Sequence, residues 1–284
     1  MAIFSNQATL TYNGNTTNSN IAYGEILDVL TATKTAIEGS YTRGDLVTYV
    51  VTLRNTGSTA LTGLTLTDDL GGYEFNDDTV YPLTYEVGSA ALFVDGVPQP
   101  DPAVTAGPPL TITGLRVPAD GDIVIVYQAR ANEFASPAAD GTIVNTVTVT
   151  GDGLSTPVTA TETVTSSTAP SLTISKSISP SQVVDNDRVT YTFVIQNYGS
   201  EAVVATDDAA ISDLFDPILT ALTVTFEGTV WTEGVQYNYN EATGLFTTVP
   251  GRILVPAATY TRDPVTGAYT VMPGTVTLTV TGTI

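Results

Sequence analysis

The sequence consists largely of short runs in which β-branched and aromatic residues alternate with polar ones. Gly, Pro, Asn and Asp interrupt these runs at short intervals, as around LVTYVVTLRNTG (46–57), RVTYTFVIQNYG (188–199) and GTVTLTVTGTI (274–284). An alternation with a period of two residues places apolar side chains on one face of a β-strand, whereas an amphipathic helix needs a period of about 3.6. The pattern therefore predicts an all-β chain built from antiparallel β-sandwiches.

A long internal repeat divides these strands between two similar domains. Residues 30–58 align without a gap on residues 172–200, with four matching pairs: Lys34 with Lys176, Asp45 with Asp187, Tyr49 with Tyr191, and Asn55 with Asn197. Two tandem immunoglobulin-like β-sandwiches are expected, since 284 residues can bury two separate cores. The predicted segments are an N-terminal donor strand over 1–14, a linker over 15–29, domain 1 over 30–150, a second linker over 151–170 and domain 2 over 171–284.

The N-terminal segment resembles the strand that closes domain 1. SNQATLTYNG, which contains Asn6, repeats the pattern of IVNTVTVTG, which contains Asn145. We expect domain 2 to lack this last strand and to expose unpaired backbone groups. The N-terminal strand of another copy is predicted to fill the place by donor-strand complementation, which makes a head-to-tail homopolymer. A second arrangement stays open, in which residues 1–14 fold back onto domain 2 of their own chain.

Composition argues against several classes of function. The chain contains no Cys and no His, which removes disulfides, thiol chemistry, the commonest metal ligand and the usual general base. A net charge of -20 argues against nucleic-acid partners, and no apolar run of about 18 residues predicts membrane insertion. The acidic turns FNDDTV and VVDNDR do not match a calcium-binding loop. We expect no cofactor and no metal, and no enzyme activity beyond single-turnover crosslinking of the chain itself.

Six polar residues are predicted to face the cores, because they share strand faces with apolar neighbours. They are Lys34, Asp68 and Asn145 in domain 1, and Lys176, Asp213 and Asn6 for the site in domain 2. The chain has two lysines, and both occupy the same position of the repeat. Burial lowers the pKa of a lysine and raises that of an aspartic acid, which favours a neutral amine beside a protonated carboxyl. Such an amine can attack the carboxamide carbon of an Asn and expel ammonia, leaving an isopeptide bond.

The combined motifs resemble a known family. The succession of Lys34, GDLVTY, NTG, DDL and NTVTVT is similar to the bacterial surface repeat called domain of unknown function eleven, and to isopeptide-forming fimbrial shaft domains of Gram-positive bacteria. The resemblance implies two crosslinking triads: Lys34, Asp68 and Asn145 within domain 1, and Lys176, Asp213 and Asn6 of the next subunit. The other interpretation is a free lysine whose ammonium reaches a sheet edge and pairs with Asp.

The chain is also similar to repeat proteins of clostridial spore appendages, which implies an extracellular location on a bacterial cell or spore surface. MAIFSNQA lacks the basic start and long apolar run of a secretory signal. The expected function is a structural fibre subunit whose partner is another copy of itself, with no anchoring partner indicated. The alternative is a monomeric adhesive or carbohydrate-binding module, in which these aromatic residues would stack on sugars: Tyr73, Tyr81, Trp231, Tyr237 and Tyr239.

Overall fold

The chain folds almost entirely into β-strands, as the computed structural model shows for residues 2–26 and 28–284. It separates into two compact units. One contains the residues up to Ser136 together with Thr142–Thr165, and the other contains Pro137–Gly141 and Ser166–Ile284. The prediction of an all-β chain with two tandem sandwiches is confirmed.

The N-terminal segment forms a β-hairpin. Its strands are β1 (Ala2–Asn6), β2 (Thr9–Tyr12), β3 (Asn15–Asn18) and β4 (Ala22–Ile26). β1 pairs with β4 and β2 pairs with β3, and the turn residues Asn13 and Gly14 have φ values of 46° and 80°. Two left-handed residues with the sequence Asn-Gly are typical of the type I′ turn in a two-residue hairpin loop.

The hairpin changes the interpretation of the first two predicted segments. The strand predicted over 1–14 is one arm of the hairpin, and the linker predicted over 15–29 contains the other arm, β3 and β4. Met1 and Leu27, which fall within these two segments, lie outside the described residues. The donor predicted as a single strand is therefore joined to a second strand of similar length.

Domain 1 is a sandwich of two six-stranded sheets. Its strands are β5 (Leu30–Ala36), β6 (Ser40–Tyr41), β7 (Leu46–Asn55), β8 (Leu61–Asp68), β9 (Tyr73–Phe75), β10 (Asp78–Val80), β11 (Leu83–Tyr85), β12 (Ala91–Val94), β13 (Val97–Pro98), β14 (Ala103–Thr105), β15 (Leu110–Val117), β16 (Asp122–Ala131), β17 (Thr142–Thr150) and β18 (Val158–Ser166). One sheet has the order β13-β12-β16-β7-β5, with β11 also paired to β16. The other has the order β14-β15-β8-β17-β18-β6, and β9 and β10 form a separate hairpin.

The segment predicted as a second linker, 151–170, contains β18, a strand of the domain 1 sandwich. β18 pairs with β17 from Thr142 opposite Thr165 to Val149 opposite Val158. Glu162 interrupts the apolar positions of this strand, which weakens its alternating pattern in the sequence. Domain 1 therefore closes with a hairpin, β17 and β18, and not with a single strand.

Domain 2 repeats part of this architecture. Its elements are β19 (Leu172–Ser179), β20 (Arg188–Asn197), the 3-10 helix η1 (Ala205–Asp207), β21 (Ser212–Leu214), β22 (Thr220–Phe226), β23 (Thr229–Val230), β24 (Tyr237–Asn240), β25 (Leu245–Thr248), β26 (Thr259–Arg262), β27 (Tyr269–Met272) and β28 (Gly274–Thr283). The sheet β19-β20-β28-β22-β23 corresponds to β5-β7-β16-β12-β13 of domain 1. A second sheet, β21-β25-β24, corresponds to β8-β15-β14, and β26 and β27 form a separate hairpin.

Alternation along the strands decides which side chains enter the two cores. β7 and β16 bury every second residue in domain 1, and β28 does so in domain 2. Each fully buried Val, Leu or Ile contributes about 1.5–3 kcal/mol relative to an exposed side chain. The intervening Thr residues face outward, so one alternating sequence produces both the core and a polar surface.

A buried asparagine stabilises the same loop in both domains. The Asn55 side chain donates to the carbonyls of Thr59 (2.8 Å) and Pro118 (2.9 Å) and accepts from the Gly57 N–H (2.9 Å). Asn197 repeats this pattern with Glu201 (2.7 Å), Pro256 (3.1 Å) and Gly199 (2.9 Å). Each carboxamide satisfies loop groups that would otherwise be buried without partners, which explains why the repeat contains Asn at both positions.

Candidate crosslinking sites

The polar centre of domain 1 is a buried ion pair. Lys34 on β5 places its Nζ 2.7 Å from Oδ2 of Asp68, the last residue of β8, and both side chains are fully buried. The Leu70 N–H donates to Oδ1 of Asp68 at 2.7 Å, and the Tyr127 hydroxyl donates to Oδ2. The carboxylate therefore has partners on both oxygens. It is held in one orientation against the amine.

Burial changes the acid–base properties of Lys34. Desolvation lowers the pKa of its amine, and the negative charge of Asp68 opposes that shift. The desolvation effect is the larger one, so Lys34 loses its proton more readily than an exposed lysine. A deprotonated Lys34 carries a lone pair beside Asp68, which is placed to accept and return protons.

The carboxamide of Asn145 is buried, and no described residue lies in hydrogen-bonding geometry with it, although the Tyr49 hydroxyl is near enough for the two side chains to interact. Asn145 lies on β17 two residues before Val147, which is opposite Asp68 on β8, so Asn145 and Val147 face the same core. An unsatisfied buried polar group costs about 1–3 kcal/mol. Asn55 and Asn197 show that this fold satisfies its structural asparagines. The unpaired carboxamide of Asn145 therefore suits a group that reacts more than one that supports the fold.

Two tyrosines complete this cluster, and neither was predicted from the sequence as a site residue. Tyr49 on β7 and Tyr127 on β16 lie opposite each other with ring centroids 5.7 Å apart, and Nζ of Lys34 is 4.7 Å from the Tyr49 ring. Burial raises the pKa of both tyrosines, and the neighbouring Asn145 side chain partly opposes the shift of Tyr49. Both tyrosines follow the inward parity of their strands. The inward parity of a residue can be read from the sequence, but it does not say which inward residues of different strands meet.

Domain 2 repeats the ion pair in more open surroundings. Nζ of Lys176 is 2.5 Å from Oδ2 of Asp213, but the Lys176 side chain is 39% exposed and that of Asp213 is 18% exposed. The Lys176 ammonium lies over the ring of Tyr191, 4.4 Å from its centroid. Val280 is opposite Tyr191, where domain 1 has Tyr127 opposite Tyr49. The second site therefore retains the amine and the carboxylate and lacks the counterpart of the tyrosine that donates to Asp68.

One side of domain 2 is uncovered in the described part of the chain. β8 lies between β15 and β17, whereas β21 has β25 on one side and no described strand on the other. Every residue of β19 is exposed, whereas the corresponding β5 buries Leu30 and Lys34. Leu172, Ile174 and Ile178 of β19 are 44%, 56% and 40% exposed. An open strand edge beside a row of apolar side chains favours the addition of another strand.

Asn6 lies on the N-terminal hairpin as the last residue of β1, opposite Ala22. It is exposed, as is every side chain from Ile3 to Tyr23. The structure thus brings Lys34 and Asp68 together in domain 1, with Asn145 on the strand beside Asp68. It pairs Lys176 with Asp213 in domain 2, and it leaves Asn6 on an exposed hairpin.

Comparison with known proteins finds similar folds and no family. No protein-family model matches the chain, and no curated protein matches it. The resemblance to the surface-repeat family therefore stays a prediction. Among solved structures, the chain is similar to the full-length pilus protein of Streptococcus pneumoniae, with 14% identity, 89% of this chain and 41% of that chain covered, and a TM-score of 0.34. It is also similar to the collagen-binding domain of a Staphylococcus aureus adhesin, with 12% identity, 48% and 97% covered, and a TM-score of 0.32. Values this low carry no argument about function.

Two further observations limit the kinds of site present. Among residues 2–26 and 28–284, no helix has the length and apolar character needed to cross a membrane. The same residues contain no cluster of three or more acidic side chains that could hold a metal ion, which includes the acidic turns at 75–80 and 183–188.

Proposed function

We propose that this chain is the structural subunit of an extracellular or spore-surface fibre, polymerised head to tail by donor-strand complementation. The N-terminal strand of one subunit completes domain 2 of the next. An isopeptide bond from Lys176 to Asn6 then locks the contact, and a bond from Lys34 to Asn145 locks domain 1.

The observation that carries the proposal is the match between β21 and the N-terminal segment. β21 has an open edge at the position where β8 of domain 1 pairs with β17. The N-terminal strand has the sequence pattern of β17, with Asn6 in the place of Asn145. Its side chains are exposed in the single chain, as expected for a segment whose binding partner is another copy. Backbone hydrogen bonds to β21 give affinity, and the inward side chains give specificity.

The proposed docking also explains the open ion pair in domain 2. Lys176 and Asp213 are part exposed because the strand beside β21 is missing from the described chain. A donor strand that covers them would exclude water from the Lys176 amine, as the surrounding strands do from the fully buried Lys34 amine. Docking would then both deliver the Asn6 carboxamide and activate the Lys176 amine that attacks it, so the isopeptide bond forms only after the donor strand has docked.

The bond formation balances without a cofactor. The neutral amine attacks the carboxamide carbon, the carboxyl group of Asp donates a proton to the carbonyl oxygen, and a tetrahedral intermediate forms. The intermediate expels ammonia after proton transfer through the same Asp, leaving an amide between the lysine and the asparagine side chain. Each site reacts once, so this is self-modification and not turnover.

A denaturing gel of assembled protein tests the proposal. Boiling in detergent should leave a ladder of multimers, because isopeptide bonds survive denaturation. Asn6→Ala should abolish the ladder, and Lys176→Arg should do the same. The matched control is Asn145→Ala, which removes the proposed bond inside domain 1 and should leave the ladder intact.

Strand donation is tested separately from the covalent bond. Deletion of residues 1–14 should prevent fibre formation as seen by negative-stain microscopy, whereas Asn6→Ala should still form fibres that dissolve in detergent. Fibres made by the deletion variant would show that another surface holds the subunits together. A wild-type chain that stays monomeric at high concentration would support the arrangement in which the N-terminal strand folds back.

The alternative function as a carbohydrate-binding module receives no support from its candidate aromatic residues. Tyr237 is buried, and the other four are half-buried. Trp231 packs on Phe226 with ring centroids 5.0 Å apart, and the hydroxyls of Tyr73 and Tyr239 donate to backbone carbonyls. These rings are occupied in the sandwiches, so no aromatic platform for sugar stacking is formed by them.

A further inference from the structure

The open side of domain 2 corresponds to two strands and not to one. In domain 1 the sheet runs β14-β15-β8-β17-β18-β6, so two strands separate β8 from β6. In domain 2 the sheet β24-β25-β21 stops at the strand equivalent to β8. The residues that align with β6 and the glycine before it are 181–183, which form no described strand. By this correspondence, the open region of domain 2 matches the positions of the two strands β17 and β18.

The N-terminal hairpin corresponds to the whole β17–β18 hairpin. Asn145 is opposite Glu162 in domain 1, and Asn6 is opposite Ala22 in the N-terminal hairpin. We call β1 and β2 the first arm of the N-terminal hairpin and β3 and β4 its second arm, which correspond to β17 and β18. Both hairpins place an asparagine on the first arm at the same position relative to the apolar residues. The N-terminal hairpin differs in its shorter turn at Asn13 and Gly14 and in an offset of one residue between its two pairs of strands.

Side-chain sizes are redistributed between the two hairpins. Ile143 is opposite Val164 in domain 1, and the equivalent pair in the N-terminal hairpin is Phe4 opposite Gly24. The Phe4 ring covers Gly24 so closely that a Cβ on Gly24 would lie 2.3 Å from Cζ of Phe4. At this pair of positions, the first arm therefore carries a larger apolar side chain than β17, and the second arm carries a smaller one than β18.

Domain 2, which would receive the hairpin, shows the opposite change in side-chain size on β19, the strand that would face the second arm. β18 pairs with β6, which follows β5 in the chain, so the second arm lies on the β5 side of the sandwich. Two apolar residues of β19 are larger than their β5 counterparts, Ile174 for Ala32 and Ile178 for Ala36, while Leu172 matches Leu30. Two residues of the second arm are smaller than their β18 counterparts, Ala22 for Glu162 and Gly24 for Val164. Complementary changes of this kind conserve packed volume in a shared core.

We propose that the complete hairpin of residues 2–26, and not a single strand, enters domain 2 of a second copy. This inference rests on the strand donation proposed above and adds the second arm. The first arm pairs with β21, and the second arm lies between the first arm and residues 181–183. In domain 1 the Thr165 N–H donates to the Gly39 carbonyl at 3.1 Å, which joins the end of β18 to the start of β6. The equivalent bond runs from the Glu25 N–H to the Ser181 carbonyl of the second copy.

The proposal predicts a specific register between the copies. Thr148 is opposite Thr67 in domain 1, so Thr9 is expected opposite Ser212. The second arm is expected to place Glu25 beside Ser181. A single donor strand would produce the first contact without the second. Detection of both contacts therefore distinguishes insertion of the complete hairpin from insertion of a single strand.

Disulfide trapping tests both contacts, because the chain has no native cysteine. Full-length chains with one cysteine each are assembled in pairs and oxidised: Thr9→Cys with Ser212→Cys for the first arm, and Glu25→Cys with Ser181→Cys for the second. Mass spectrometry of peptides before and after reduction identifies the mixed disulfides. A disulfide needs Cα atoms about 4.4–6.8 Å apart, so it reports register. Thr11→Cys with Ser212→Cys is the off-register control, and Tyr23→Cys with Val183→Cys is a second test of the outer arm.

The outcomes distinguish the two proposals. Mixed disulfides at the first-arm pair and at either second-arm pair, with at least tenfold less from the control, support the hairpin. A disulfide at the first-arm pair with none at both second-arm pairs overturns the hairpin and leaves single-strand donation standing. If neither arm gives a mixed disulfide, both proposals fail.

Discussion

Replacing Asp68 with Asn should destabilise domain 1 strongly, because it leaves the Lys34 ammonium buried without its negative partner. Both side chains of the pair are fully buried, and Nζ lies 2.7 Å from Oδ2. Asn is nearly the same size as Asp and keeps an oxygen for the Leu70 N–H. The substitution therefore changes the charge with little change in packing. Asn145→Ala is included in the reference and in the variant, so that no isopeptide bond removes the lysine charge.

The size of the effect follows from two competing costs. Breaking a buried ion pair by removing one partner costs about 3–5 kcal/mol. Lys34 can avoid this cost by folding as a neutral amine, and from its ordinary pKa of 10.5 this requires about 5 kcal/mol at pH 7, at about 1.4 kcal/mol per pH unit. The smaller cost applies, so the loss at pH 7 should be about 3–5 kcal/mol.

The loss of stability on replacing Asp68 should depend on pH. In the variant the folded-state pKa of Lys34 lies below its unfolded value, so the unfolded state binds more protons and stability rises with pH. At pH 9 the cost of releasing the proton falls to about 2 kcal/mol, which limits the loss. The difference between variant and reference should therefore shrink between pH 7 and pH 9.

Urea unfolding followed by far-UV circular dichroism measures this difference. Fluorescence of Trp231, the one tryptophan of the chain, reports on domain 2 and should not change. Asp213→Asn is the matched control: Lys176 is 39% exposed, so its loss of a partner should cost only about 0–1 kcal/mol. A loss below about 1 kcal/mol for Asp68→Asn, or one that is equal at pH 7 and pH 9, would refute the reasoning.

Three further predictions test individual residues. The intact mass of a wild-type subunit kept from assembling should be lower by one ammonia than its sequence predicts, and Asn145→Ala or Lys34→Arg should restore the missing mass. Tyr127→Phe removes a hydrogen bond to the Asp68 carboxylate and should cost about 1.5–3 kcal/mol in urea unfolding. Tyr49→Phe removes a buried hydroxyl without a partner in hydrogen-bonding geometry and should be neutral or stabilising. Equal losses would contradict the assignment of Tyr127 as the tyrosine that donates to Asp68. Asn55→Ala and Asn197→Ala should each destabilise their own domain by about 3 kcal/mol through orphaned loop groups, and only the second should shift the Trp231 transition.

The sequence by itself determined the features that depend on local periodicity and on the repeat. Alternation predicts the strands and the burial of Lys34, Asp68 and Asn145, because successive residues of a strand point to opposite faces. The gapless repeat places Lys176 at the position of Lys34, and the family resemblance implies that each lysine meets an Asp, as Lys34 meets Asp68 and Lys176 meets Asp213. The burial follows from local alternation and the position of the second lysine from a direct copy, whereas the Lys–Asp pairing comes from the resemblance.

The tertiary structure alone decided which distant strands lie side by side. It joins β18 to domain 1 although Glu162 weakens the apolar pattern of this strand, and it pairs 15–26 with 2–12 as a hairpin where the sequence analysis predicted a linker. It brings Tyr127 to Asp68 from a strand 59 residues away. It also leaves Lys176 part exposed while Lys34 is buried, although both have the same local sequence pattern. Burial and partner choice depend on the strands that close each sheet, and local alternation carries no information about that pairing.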